Sequence, residues 1–341
     1  MPALPTPETV LREYAFWLER ERADTYRVRA FRQAAEVAAA LEPGAVPTTE
    51  AQWRALPRFG PKTAALAAAA VAGEVPQALA DRRAAGAASL APAGDGLRAL
   101  LRGDLHTHTT WSDGGSPLWE MAEVAEALGH EYLAITDHSP RLRVANGLTR
   151  ERLTAQWEEI ALVQEMRHVR VLRGSEVDIL GDGSLDRSDD LLAGLDIVVA
   201  SVHSDLNADA DTMTARMVGA VSNPHTTVLG HCTGRRLRDD GTWRAQSRFD
   251  AEIVFAACAM FGVAVEINSR PERQDPPLEL IELAKEAGCL FSIDSDAHAP
   301  GQLDFLSYGA ARAVEADIEP ERIITTWPLP RLLDHARRHR S

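Results

Sequence analysis

An α/β barrel preceded by a small all-helical domain is the architecture this sequence predicts, on three observations. Residues 7 to about 85 are alanine-rich and place apolar side chains at helical spacing. From Leu97 onward, short β-rich runs alternate with helix-like stretches, at 100–106, 132–137, 169–177, 196–202, 226–230, 263–268 and 290–295. Seven strands separated by helices are the pattern of a parallel sheet. Six of the seven end on a residue able to bind a metal ion, which points to a barrel with its site at the strands' C-terminal ends.

In the helical domain, Val10, Leu11, Tyr14, Trp17 and Leu18 follow the helical period, so a first helix begins at Pro7. A second runs roughly over 25–41. Leu56 to Ala64 reads as a tight turn leading into a third. Residues 84–96 are small and contain Gly and Pro, the composition of a linker. The expected boundaries are therefore 1–83 for the helical domain and 97–341 for the barrel.

Bulk properties exclude several classes. No stretch approaches the roughly 20 apolar residues of a membrane span, and the N-terminus lacks the basic and hydrophobic regions of a signal peptide. Cys232, Cys258 and Cys289 are few, odd in number and far apart, which argues against a disulfide framework and predicts a cytoplasmic protein. Net charge is −14, and residues 1–95 carry 11 charges of each sign, so the whole excess lies in the remainder. An acidic barrel does not attract phosphate by its overall field; bound metal ions would have to do so.

The chemistry sits at the strand ends. His106 and His108 are spaced i, i+2 and so point to one face of an extended chain. Asp113 follows in Trp-Ser-Asp-Gly. His138 closes Ile-Thr-Asp-His, Glu176 closes Gly-Ser-Glu, His203 lies in Ser-Val-His-Ser, and His231 follows Leu-Gly. Asp296 and His298 repeat the i, i+2 spacing after the last strand. Imidazoles with carboxylates suit Zn, Mn or Fe rather than Mg or Ca, which prefer oxygen shells. Such ions lower the pKa of bound water from about 15.7 to about 7.

Any one buried histidine is more often a hydrogen-bonded core residue. Six of eleven at strand ends, two of them paired i, i+2, is a different matter. The other five, His130, His168, His225, His335 and His339, read as surface or structural. Cys232, beside His231, reads more readily as a small buried residue than as a thiolate ligand. Arg141, Arg143, Arg235, Arg236, Arg270 and Arg273 lie in the same strand-end loops, where some can grip phosphate bidentately.

These motifs, in this order over about residues 100–335, resemble the PHP (polymerase and histidinol phosphatase) family. The resemblance implies a distorted (βα)7 barrel and a phosphoesterase with three divalent ions. It places one ion at His106, His108, Glu176 and Asp296, a second at Glu176, His203 and His231, and a third at Asp113, His138 and His298. It further implies catalysis by His106, His108, Glu176 and Asp296 through metal-bound hydroxide, with Arg143, Arg235 and Arg273 on substrate phosphate. Ala-Ile-Thr-Asp-His-Ser-Pro, Glu-Val-Asp-Ile-Leu and Gly-His-Cys-Thr-Gly-Arg look most like the PHP domain of bacterial family X DNA polymerases, with Cys232 where those usually have proline.

Residues 8–83 are similar to the small DNA-end-binding domain of the same polymerases. Leu56 to Ala64 looks like a helix-hairpin-helix turn, which implies DNA contacts at Gly60, Lys62 and Thr63. Arg58 replaces one glycine of the usual Gly-x-Gly, and Leu66 stands where some relatives carry a lyase lysine. Only about a dozen residues separate the two domains, leaving no room for palm and fingers between them, so no polymerase activity is expected. Three functions follow as alternatives: a 3′→5′ exonuclease or 3′-phosphatase at DNA ends, a small-molecule phosphatase such as one for histidinol phosphate, and a DNA-end-binding module with little catalysis. No membrane partner is expected.

Overall fold

The computed structural model, which describes residues 5–238 and 240–338, starts with a helix whose beginning is set by threonine. Thr6 and Thr9 form a capping box at the head of α1 (Pro7–Arg20), with Pro7 in the first turn, where its missing N–H costs nothing. α1 buries Val10, Leu11, Tyr14 and Leu18 of the predicted stripe, with Ala15 beside them, whereas Trp17 is only partly covered. α2 (Thr25–Ala39), capped by Asp24, returns Phe31, Ala34 and Ala35 to the same core, with the Phe31 and Tyr14 rings 4.5 Å apart. α3 (Glu50–Arg54) is too short for a periodic signal, and α4 (Pro61–Val71) follows the predicted turn. A buried bidentate pair, Arg32 Nε and Nη2 on Glu19 at 2.9 and 2.7 Å, ties α2 to α1.

The chain divides into Met1–Ser89 and Leu90–Ser341. The expected linker at 84–96 is mostly structured. α5 (Gln77–Gly86) extends into it, and residues 92–98 form two short helical turns. A Cβ on Gly94 would lie 2.4 Å from the backbone nitrogen of Ala311, so this stretch packs on helix Leu306–Glu315. Small residues there serve close packing, which composition alone does not distinguish from flexibility.

The second unit contains seven parallel strands in sequential order: β1 (Gly103–Asp104), β2 (Tyr132–Ile135), β3 (Arg170–Asp178), β4 (Ile197–Ser201), β5 (Val228–Leu229), β6 (Ala264–Asn268) and β7 (Phe291–Asp294). The seam between β1 and β7 is closed by a Thr107–Ala297 bridge, by His108 N–H donating to the Ala297 carbonyl at 2.8 Å, and by Leu105 N–H donating to Asp294 Oδ1 at 2.9 Å. The sheet is thus a nearly closed (βα)7 barrel, as expected.

Strand alternation separates inside from outside. Tyr132, Ala134, Leu172, Ile197, Val199, Val228 and Ala264 pack together with Ile324, Trp327 and Leu332 of the C-terminal segment. Their neighbours Leu133, Ile135, Val198, Ala200, Val265 and Ile267 face the surrounding helices. Gly174 lets β3 approach β2: a Cβ there would sit 2.6 Å from Thr136 Cγ2.

Candidate metal centre

All nine predicted ligands meet at the C-terminal ends of the strands. Glu176, 1% exposed, is the hub. Its Oε2 lies 3.3 Å from His106 Nε2, 3.5 Å from His108 Nε2 and 2.8 Å from His138 Nδ1. Its Oε1 lies 3.2 Å from His203 Nε2 and 2.8 Å from His231 Nε2. A second carboxylate, Asp113, stands at the exposed rim, its Oδ1 3.4 Å from His138 Nε2, 3.6 Å from His298 Nε2 and 3.9 Å from His108 Nδ1. Asp296 Oδ1 lies 3.5 Å from His108 Nε2. The positive φ values of Asp296 (51°) and His231 (22°) are conformations that non-glycine residues rarely adopt.

The donors suit divalent ions. His106 Nε2, both nitrogens of His108 and His138 Nδ1 are buried without a hydrogen-bond partner, a costly state for polar atoms unless something else satisfies them. Most of the separations from 3.2 to 3.6 Å are long for hydrogen bonds. Ligand atoms about 2.1 Å from a shared tetrahedral ion lie roughly 3.4 Å apart. Three groups have ligand atoms within 4.8 Å of one another: His108, Asp113, His138 and His298; His106, His108 and Glu176; and His138, Glu176 and His203. This partition differs from the expected one. His108 joins the Asp113 group, His138 reaches Glu176, and Asp296 and His231 fall outside these groups although each touches a member. His108 and His138 offer both ring nitrogens, so each can belong to two groups.

Electrostatics reflect the crowding. Burial raises Glu176, but His203, His106 and His138 outweigh it and hold the carboxyl well below its usual range. Burial with His298 and His138 pulls His108 down to about 3. Burial also opposes charge on His138, yet Glu176 and Asp113 push it up to about 10.

A family model of the PHP domain matches residues 104–270. Over 209 residues the chain is 30% identical to a probable phosphatase of Thermoanaerobacter sp. (strain X514), covering 57% of this chain and 78% of that protein. The chain belongs to the PHP family. It is 40% identical over 230 residues to the DNA polymerase/3′-5′ exonuclease PolX of Bacillus subtilis, covering 67% of this chain but only 40% of that longer protein. The crystal structure of histidinol phosphate phosphatase from Lactococcus lactis, complexed with zinc, L-histidinol and phosphate, aligns at TM-score 0.48 and 16% identity, covering 64% of this chain and 94% of that one. The PHP barrel is a metal-dependent phosphoesterase.

Two carboxylates of this PHP centre were not foreseen. Glu266 Oε1 lies 2.6 Å from His106 Nδ1, and its Oε2 accepts from His231 N–H at 2.5 Å. Asp178 Oδ1 lies 2.6 Å from His203 Nδ1. Each fixes one ring nitrogen so that Nε2 faces the centre. Strand phase carried the signal: Glu266 is in step with inward Ala264, and Asp178 with Glu176 and inward Leu172. Glu266 is the contribution of the one strand without a predicted ligand at its end.

The three arginines expected on phosphate differ in setting. Arg143 is exposed and lines a cleft of about 510 Å³ with Arg141, Asp178 and His203. Arg273 is committed through Nε to Asp296 Oδ2 at 2.9 Å. Arg235 stacks on Trp243 with its guanidinium 4.0 Å from the ring centroid. Cys232 is buried in the apolar core, where burial and Asp275 push its thiol well up, so it packs rather than ligates. His130 is buried, the structural of its two readings.

In the helical unit, Arg58 adopts φ 67°, the left-handed conformation that glycine takes without cost, and the turn forms although the glycine is missing. Gly60 and Lys62 are exposed at its tip, but Thr63 is buried and turned back. Thr63 Oγ1 accepts from Gly60 N–H at 2.9 Å and lies 3.1 Å from the Gly60 carbonyl. Its hydroxyl caps α4, and the Gly60 amide is occupied. Arg32, paired with Glu19, is likewise not displayed. No helix among the described residues is long and apolar enough to cross a membrane.

Proposed function

We propose that this PHP phosphoesterase acts on DNA ends, as a 3′→5′ exonuclease or 3′-phosphatase. The observation that carries the reading is the α3–α4 turn. Arg58 at φ 67° keeps the left-handed step of a helix-hairpin-helix, and the exposed Gly60 and Lys62 stand at the N-terminus of α4, an end suited to a phosphate. The likeness to PolX supports it, because one chain there joins DNA chemistry to a related barrel.

Three divalent ions of the Zn, Mn or Fe class would be held by the nine strand-end side chains, with Glu176 shared between two of them. Bound ions would supply Lewis acidity and a nucleophile at neutral pH. The chain's own residues do the rest. Glu266 and Asp178 lock the imidazoles of His106 and His203. Arg273 holds Asp296 in place. Arg143, at the mouth of the cleft, binds the incoming phosphate.

A small phosphoester is the second reading. The cleft beside His203 has the volume of a small-molecule site, and the probable phosphatase of Thermoanaerobacter aligns along 78% of its length. Activity with Mn²⁺ on single-stranded DNA, 3′-phosphorylated DNA and histidinol phosphate decides between them. The DNA reading requires kcat/KM on a DNA end to exceed that on histidinol phosphate. The reverse order overturns it.

A further inference from the structure

The loop after β5 carries a feature that the metal centre does not use. Residues 233–249 hold five arginines, Arg235, Arg236, Arg238, Arg244 and Arg248, against two aspartates, within a chain of net charge −14. The loop forms a short two-stranded ribbon. Leu237 bridges Trp243, Arg238 N–H donates to Thr242 at 2.7 Å, and Arg244 N–H donates to Arg236 at 2.7 Å. The ribbon stands beside the metal centre. Leu237 N–H donates to the Glu272 carbonyl at 2.7 Å, Glu272 holds Arg270 at 2.7 Å, and Arg270 Nη1 lies 2.9 Å from His298 Nδ1.

In its middle, paired with Leu237, sits Trp243, 40% exposed and the one exposed tryptophan among the described residues. Arg235 covers one face of the indole, and its Nε is sealed from solvent without a hydrogen-bond partner. Exposing an indole forgoes a large hydrophobic gain, and cationic neighbours make the exposed part of the ring a platform for a flat, electron-rich ring beside a phosphate.

We infer that Trp243, backed by Arg235, stacks the base of the terminal nucleotide while the exposed Arg236, Arg238 and Arg248 follow the single-stranded backbone. This rests on the DNA-end reading and sharpens it: the substrate is an unpaired 3′ end, bound with little sequence preference because every base has a face to stack. Trp243 is a substrate-positioning residue and takes no part in the chemistry.

The test is a cycle between protein and substrate. Full-length wild type, Trp243→Ala and Trp243→Phe are assayed with Mn²⁺ on a single-stranded oligonucleotide, the same oligonucleotide with an abasic 3′-terminal nucleotide, and p-nitrophenyl phosphate. Trp243→Ala should raise KM on the normal oligonucleotide on the order of tenfold with little change in kcat, and Trp243→Phe should recover most of it. The abasic substrate should cost wild type the same factor and Trp243→Ala almost nothing more. An unchanged KM in Trp243→Ala, or equal loss on normal and abasic ends, overturns the inference while leaving the DNA-end function standing. Equal loss on p-nitrophenyl phosphate would make Trp243 a structural residue and also overturns it. If wild type hydrolyses p-nitrophenyl phosphate but neither oligonucleotide, with or without a 3′-phosphate, the DNA reading itself falls, and this inference with it.

Discussion

The helical unit and the mouth of the barrel bury charge in opposite ways. In the helical unit an apolar core surrounds one buried ion pair, Arg32 with Glu19, whose partners meet in bidentate geometry. At the barrel mouth, six imidazoles crowd around carboxylates, with four buried ring nitrogens on His106, His108 and His138 lacking hydrogen bonds. The first arrangement is complete in itself. The second is an unfavourable use of buried polar atoms unless cations complete it. A region that violates packing rules within an otherwise well-packed barrel is where function should be sought.

The sharpest way to break this contrast is at Glu176. Its two oxygens contact five imidazoles, so Glu176→Gln should lower kcat on the order of 10³-fold while the fold is retained. Near wild-type turnover would remove the shared-carboxylate model. Next come the supporting carboxylates. Glu266→Gln and Asp178→Asn leave every proposed ligand in place but release His106 and His203, and each should cost about 10- to 100-fold in metal affinity or activity. Titration of metal into the apo variants measures this directly, and wild-type affinity would reduce both residues to packing.

The sequence made the barrel legible because its signals are local. Each strand is a short apolar run, and each proposed ligand stands at the end of one. All seven strands appear where expected, although β1 and β5 shrink to two residues. Beyond β1, side chains take over from the ladder: Thr107 N–H donates to Thr136 Oγ1 and Leu105 N–H to Asp294 Oδ1. Which ring nitrogens of His108 and His138 meet which carboxylates was not legible, since it depends on ring rotation. Glu266 and Asp178 were missed although strand phase marks both as inward-facing, because neither closes one of the strand-end motifs. The stretch 84–96 misled because alanine and glycine serve tight packing as well as loops. The inward turn of the Thr63 side chain was not legible either, because a side chain beside a turn can face its own helix.

Smaller effects test the two units separately. Because residues 90–98 belong to the barrel, a truncation that tests the helical unit must stop at Ser89. Removing residues 1–89 should raise KM on a DNA end roughly tenfold or more by lowering its effective concentration, and leave hydrolysis of p-nitrophenyl phosphate nearly unchanged. Equal loss on both would mean that the helical unit supports the barrel's fold.

The smallest effect is at His130. Burial, with help from Arg98, pulls it down to about 3, below the ordinary value near 6.5. It folds neutral, so its contribution is fully present above about pH 6.5 and is lost as pH falls toward 3. Relative to His130→Leu, wild type should lose about 1 kcal/mol of stability between about pH 7 and about pH 5.5. Parallel urea-unfolding profiles for the two proteins would show that His130 is protonated in the folded state.

The central claim, that the strand-end cluster is completed by cations, is tested most directly by counting them. Elemental analysis of the full-length protein after reconstitution with Mn²⁺ or Zn²⁺ and removal of loosely bound metal should give three ions per chain, and fewer in Glu176→Gln. At most one ion per wild-type chain would contradict the account.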